Sequence, residues 1–132
     1  MQGLHLVADL HDCRCDALWL CDAKALSCAT VRAVEAAGLQ AVARITHSFP
    51  ATTAGPGGVT ATVLLAESHL CLHTWPEQRG VTLDVYVCNF GADHSAKAHA
   101  LMRALIGIFA PEHVERQALR RGAAPLPMAK AA

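Results

Sequence analysis

This chain of 132 residues lacks a net charge, a long apolar run and a useful supply of lysine. Lys and Arg total 11 and Asp and Glu total 11, so no net electrostatic grip on nucleic acid or an anionic membrane surface is expected. No stretch approaches the roughly 18 to 20 apolar residues that a helical membrane span requires. The segment Met1 to Asp9 has no basic n-region and meets Asp9 before a signal-length apolar run develops, so no export signal is read and the cytoplasm is the expected location. Lysine is confined to Lys24, Lys97 and Lys130, none beside a phosphate-binding glycine turn, which argues against pyridoxal phosphate. No internal repeat is present.

The length suits one domain with a modest core. Six cysteines without an export signal read as free thiols, and Cys21 and Cys28 read as small apolar packing in a helix. His11, Cys13 and Cys15 read as a turn with incidental cysteines. His69, Cys71 and His73 alternate and could share a strand face, but three donors without a fourth are weak support for zinc, and no metal is expected.

Leu4 to Leu10 reads as a first strand. A single helix from about Ala17 to Ala37 follows, capped by Asp16 and ended by Gly38, with Leu18, Cys21, Ala25, Ala29 and Val34 as its apolar stripe. Gln40 to Phe49 is a second strand and Pro50 to Gly58 a loop. Val59 to Ala66, Leu70 to Thr74 and Val81 to Cys88 are further strands. Asp93 caps a second helix to about Phe109, with Met102, Leu105 and Ile108 on its apolar face and Pro111 beyond its end. His113 to Leu119 is a last strand, and residues 122–132 form a frayed tail after a single domain spanning 1–121. This order predicts an α+β two-layer α/β sandwich with both helices on one face of a largely antiparallel sheet. An apolar uncovered face would favour sheet-to-sheet pairing.

The chemistry concentrates between Ala66 and Glu77. Glu67-Ser68-His69-Leu70, His73-Thr74-Trp75-Pro76-Glu77, Asp84 and Cys88 fall at a spacing that resembles the prokaryotic S-adenosylmethionine decarboxylase proenzymes, and the likeness extends loosely from His5 to about Arg121. The resemblance implies a pairing of sandwiches into a four-layer αββα dimer, with active sites near the interface. It also implies a pyruvoyl cofactor made from the chain itself. Ser68 Oγ would attack the Glu67 carbonyl, and the resulting ester would open by β-elimination. The products would be a β chain of residues 1–67 and an α chain of 68–132, the latter starting with the pyruvoyl group.

Decarboxylating an α-amino acid derivative leaves a carbanion that ordinary side chains cannot delocalise, so an electrophilic carbonyl is needed. The resemblance assigns that role to the pyruvoyl group, through a Schiff base with the substrate amine. It assigns Cys88 as the general acid that returns a proton to Cα, and His73 as the residue acting in processing. Phe49 would stack on adenine, Glu77 would bind the ribose hydroxyls, and Glu67 counts with them as substrate-binding. Thr60 stands where the family usually has a serine that polarises the scissile carbonyl; its hydroxyl can still donate, but its branched rotamer puts the processing rate in question. Trp75 reads as packing or pocket wall.

Three departures border the expected pocket: a loop after Phe49 about five residues longer than usual, Gln78 to Thr82 without the tyrosine-glycine-tyrosine run common there, and Asn89 in place of a usual glycine. The leading expectation is decarboxylation of S-adenosylmethionine to the aminopropyl donor for spermidine synthesis. Some relatives decarboxylate arginine or ornithine, so that activity is an alternative. An uncleaved, non-catalytic paralogue is another.

Overall fold

A computed structural model describes residues 2–123. Six strands form one sheet in the order β2-β3-β4-β5-β1-β6, every neighbouring pair antiparallel. The strands are β1 (Gly3–Cys13), β2 (Ala43–Ser48), β3 (Val59–Leu64), β4 (His69–Trp75), β5 (Gly80–Cys88) and β6 (Pro111–Arg121). The helices are α1 (Leu18–Cys21), α2 (Ala23–Ala36) and α3 (Ser95–Phe109). The predicted α+β two-layer sandwich is the observed one. Most of the predicted tail, from residue 124 on, lies outside the described residues.

Strict alternation in the strands produces the two layers. Leu6, Ala8 and Leu10 on β1, Leu70 and Leu72 on β4, and Val81, Leu83, Val85 and Val87 on β5 are buried beneath the helices, with Leu26, Leu101, Leu105 and Phe109 packed against them. Full burial of such a side chain contributes roughly 1.5–3 kcal/mol. The opposite parity carries His5, Thr60, Thr62, His69, Cys71, His73, Thr82, Asp84 and Tyr86, all half-buried. The uncovered face is therefore polar and not the apolar face expected, because these positions are held by hydroxyl, imidazole, thiol and carboxylate groups.

The expected helix Ala17 to Ala37 is in fact two. Asp22 leaves the helical region (φ −99°, ψ 104°) and its carboxylate accepts from Ala25 N at 3.0 Å, which makes it the N-cap of α2. Aspartate competes for backbone donors and favours such a position over a helix interior. The break frees the Leu20 carbonyl, which accepts instead from the buried Thr74 hydroxyl at 2.7 Å. Thr74 Oγ1 also accepts from Val59 N at 2.8 Å, so one side chain ties α1 to β3 and β4. The buried stripe is Leu20, Leu26, Thr30, Ala33 and Val34; of the predicted stripe only Val34 is in it, and Leu18 is exposed. The Asp16 carboxylate does accept from Leu18 N, and Asp93 accepts from Ser95 N at the start of α3. Ile108 is only partly buried, since α3 turns Leu105, Ile106 and Phe109 inward.

Candidate active site

Strand β4 connects two clusters of chemistry-bearing side chains, one at each end. At its start, the turn from β3 leaves Ala66 and Glu67 as central residues, closed by a hydrogen bond from Leu65 N to the Ser68 carbonyl at 2.8 Å. Ala66 has φ 64° and Glu67 does not share the positive value. That φ is in the left-handed region, which favours glycine. A non-glycine residue there carries backbone strain of about 1–3 kcal/mol. The Glu67–Ser68 bond follows directly, with Glu67 exposed and Ser68 half-buried.

Ser68 Oγ accepts from the backbone N–H of Cys88 at 2.9 Å, across 20 residues of sequence. Cys88 ends β5, opposite Gly3 of β1. A Cβ at Gly3 would meet the Val87 carbonyl at 2.7 Å and the Tyr86 ring at 2.8 Å, so only glycine lets β1 close over this corner. Just beyond, Asn89 Oδ1 accepts from His94 N at 2.8 Å and Asn89 Nδ2 donates to Ser95 Oγ at 3.2 Å. The asparagine that departs from the usual glycine thus fastens the exit of β5 to the start of α3.

At the far end of β4, Phe49, Thr60, His73, Trp75 and Glu77 line one pocket of about 410 Å³, together with the glycine- and proline-rich loop before β3. Gly57 and Gly58 let that loop lie flat: a Cβ on the first would run into the Phe49 carbonyl, and on the second into the Thr74 carbonyl. Thr60 Oγ1 and His73 Nδ1 share a hydrogen bond of 2.8 Å, on paired positions of β3 and β4. His73 Nε2 faces Cys71 Sγ at 3.7 Å, and the His47 ring stands edge-on to Phe49 with centroids 4.8 Å apart. Trp75 is a pocket wall, as read from sequence.

The expected site residues therefore form two groups: Glu67, Ser68 and Cys88 at one end, and Phe49, Thr60, His73 and Glu77 at the other. Five residues of strand separate Ser68 from His73, about 16 Å. One chain does not bring them together. Between the groups the same face carries a third cluster that sequence reading gave no role: Asp84 Oδ2 lies 2.8 Å from His5 Nε2 and 3.4 Å from His69 Nε2. Its signal was the shared strand parity of these three positions. The remaining thiols are of another kind. Burial pushes Cys13 up from 9.0 to about 11 and raises Cys15 and Cys21 as well, so these three stay protonated near neutral pH.

A solved structure shares this fold. The crystal structure of the adenosylmethionine decarboxylase from Aquifex aeolicus superimposes with a TM-score of 0.79 at 31% identity, covering 97% of each chain. Residues 4–122 match the S-adenosylmethionine decarboxylase family profile. The S-adenosylmethionine decarboxylase proenzyme of Hydrogenobaculum is 33% identical over 91% of this chain and 81% of its own length, and that of Parasynechococcus marenigrum 39% identical over 76% and 70%. The chain belongs to the S-adenosylmethionine decarboxylase family.

Proposed function

We propose that this chain is made as a proenzyme, cuts itself between Glu67 and Ser68, and decarboxylates S-adenosylmethionine to the aminopropyl donor for spermidine synthesis, acting as a pair of identical chains. The observation that carries this reading is the 2.9 Å hydrogen bond holding Ser68 Oγ to the backbone of Cys88. It fixes the attacking oxygen beside a strained turn and brings Cys88, the proposed proton donor, to the same sheet corner. Those residues fit a pyruvoyl group at position 68.

Ser68 Oγ attacks the Glu67 carbonyl carbon, its proton passes to the departing amide nitrogen, and an ester replaces the peptide bond. A base then removes the Ser68 Cα proton and the Glu67 carboxylate leaves from Cβ. Hydrolysis of the resulting dehydroalanine releases ammonia and leaves the new terminus as a ketone. Once formed, that carbonyl conjugated with the following amide supplies a sink for the electron pair left when CO2 departs. Cys88 Sγ returns the proton to the substrate's Cα.

His73 is the base for the elimination. In the tautomer whose Nδ1–H is donated to Thr60 Oγ1, Nε2 keeps the lone pair that takes up the proton, with the Cys71 thiol beside it at 3.7 Å. Thr60 thereby orients the imidazole, so threonine at this position keeps the contact. Glu77 accepts from the ribose hydroxyls and Phe49 stacks on adenine, both in a concave pocket of suitable size for a nucleoside. Glu67 lies at the other end of β4 in the same chain, so its carboxylate reaches the nucleoside from the paired chain.

Since roughly 16 Å of strand separates His73 from Ser68 in one chain, the reading requires a second copy. Two such sheets laid face to face with strands reversed bring the His73 end of one over the Ser68 end of the other. A polar, half-buried sheet face suits a contact that encloses two active sites. Denaturing mass spectrometry of fresh protein tests the first step: two fragments, each roughly half of 13.9 kDa, are expected. Release of labelled CO2 from S-adenosylmethionine, and not from arginine or ornithine, tests the second. An unbroken chain, or CO2 from an amino acid alone, overturns the proposal.

A further inference from the structure

We propose that His5, His69 and Asp84 bind one divalent transition-metal ion of the zinc class. The three donors come from three adjacent strands: His5 on β1 and His69 on β4 both sit opposite Tyr86, and Asp84 lies two residues earlier on β5. Their donor atoms all lie within 4.8 Å of one another. Two of the separations, 2.8 and 3.4 Å, bracket the edge of about 3.3 Å between neighbouring ligands on a tetrahedral ion with bonds near 2.0–2.1 Å. Closing His69 toward His5 is a small side-chain movement.

The donor set selects the ion. Two imidazole nitrogens and one carboxylate suit zinc, cobalt or nickel and suit magnesium or calcium poorly, which prefer all-oxygen shells. The site is prepared for it. In a single chain the side chains are 20%, 38% and 29% exposed for His5, His69 and Asp84, so they are held by their neighbours with an edge open to an ion. The Tyr86 ring packs at 5.7 Å from each imidazole and limits how far either can turn. The ion takes the place of the hydrogen bond between His5 Nε2 and Asp84 Oδ2. The Arg121 guanidinium stacks 5.1 Å from the Tyr86 ring centroid.

The other clusters are weaker. Asp12, Glu112 and His113 are all exposed, and Glu112 is already engaged by Arg14. Cys71 and His73 supply two donors, and burial keeps Cys13 protonated. His69 directly follows Ser68, so the ion anchors the start of β4 immediately after the serine. The site does not depend on self-cleavage having occurred.

Cobalt(II) titration of chelator-treated protein tests it, read by visible absorbance and by calorimetry, on wild-type protein and on uncleaved Ser68→Ala in parallel. Expected are one ion per chain, d–d bands without a thiolate charge-transfer band, displacement by zinc and none by magnesium. His5→Gln and Asp84→Asn should each weaken binding by at least about tenfold, while Cys71→Ser leaves it unchanged. Far-UV circular dichroism confirms that each variant is folded, and if one is not, the other and the wild-type spectrum decide. No binding, a thiolate band, or full affinity in the folded histidine or aspartate variant overturns the assignment. Binding that is equal in wild type and Ser68→Ala separates this result from any failure of self-processing.

Discussion

The two ends of β4 carry reactive side chains in opposite ways. At the Ser68 end the backbone does the positioning: a two-residue turn, a backbone N–H on Ser68 Oγ and a glycine-enforced close approach of β1. At the His73 end the side chains and a glycine-rich loop build a concavity, and the groups face it from β3, β4 and the loops. The first end suits making and breaking a covalent bond at one fixed atom. The second suits holding a flat nucleoside and moving a proton. Under the proposed function neither is complete alone, and the distance between them is set by the rise of an extended strand, which no side-chain rearrangement can shorten.

The largest break in this comparison is Ser68→Ala, expected to give an uncleaved 13.9 kDa chain with no CO2 release. Any residual turnover would detach the chemistry from the Ser68 end. The second is complementation. His73→Ala alone is expected to stay uncleaved, yet co-expressed with Ser68→Ala about half of its chains should be cut, because each mixed pair unites one intact Ser68 end with one intact His73 end. No cleavage in the mixture would place both ends' work within one chain. Glu77→Gln should then raise KM by roughly tenfold while leaving cleavage complete, since it removes a charged acceptor from the binding end only. An unchanged KM, measured by CO2 release, would remove the ribose role.

Two smaller effects test the scaffold under both ends. Cys13 holds its proton to about 11 in the fold, against an ordinary 9.0, so the unfolded chain loses the proton first. Its stabilisation is complete below pH 9 and lost as pH rises toward 11. Urea midpoints should fall between about pH 8 and pH 10.5, and fall less in Cys13→Ala. Asp22→Ala should cost about 1 kcal/mol in the same measurement through loss of the α2 cap. It should leave cleavage intact, since α2 packs on the sheet face opposite the one that carries Thr60 and His73.

Much of this was legible in the sequence because alternation and local caps are short-range properties. The first strand is legible from its alternation and the others from β-rich runs bounded by turn residues, and the spacing of Ser68, His73 and Cys88 resembles the family's. Asp22 was missed as a cap because a run of helix formers surrounds it, and only the Thr74 hydroxyl on the freed Leu20 carbonyl completes the break. The polarity of the uncovered face was present in the letters, but it emerges only when parity is carried across five registered strand pairs.

The sequence by itself determined the layer each strand residue joins, which follows from neighbours along the chain, and its resemblance to the family supplied the proposed scissile pair and the residue types the chemistry needs. Only the tertiary structure decided that Cys88 meets Ser68, that Phe49, Thr60, His73 and Glu77 share a pocket, and that His5, His69 and Asp84 converge. Strand order and register, which arise from packing between distant segments, set those distances.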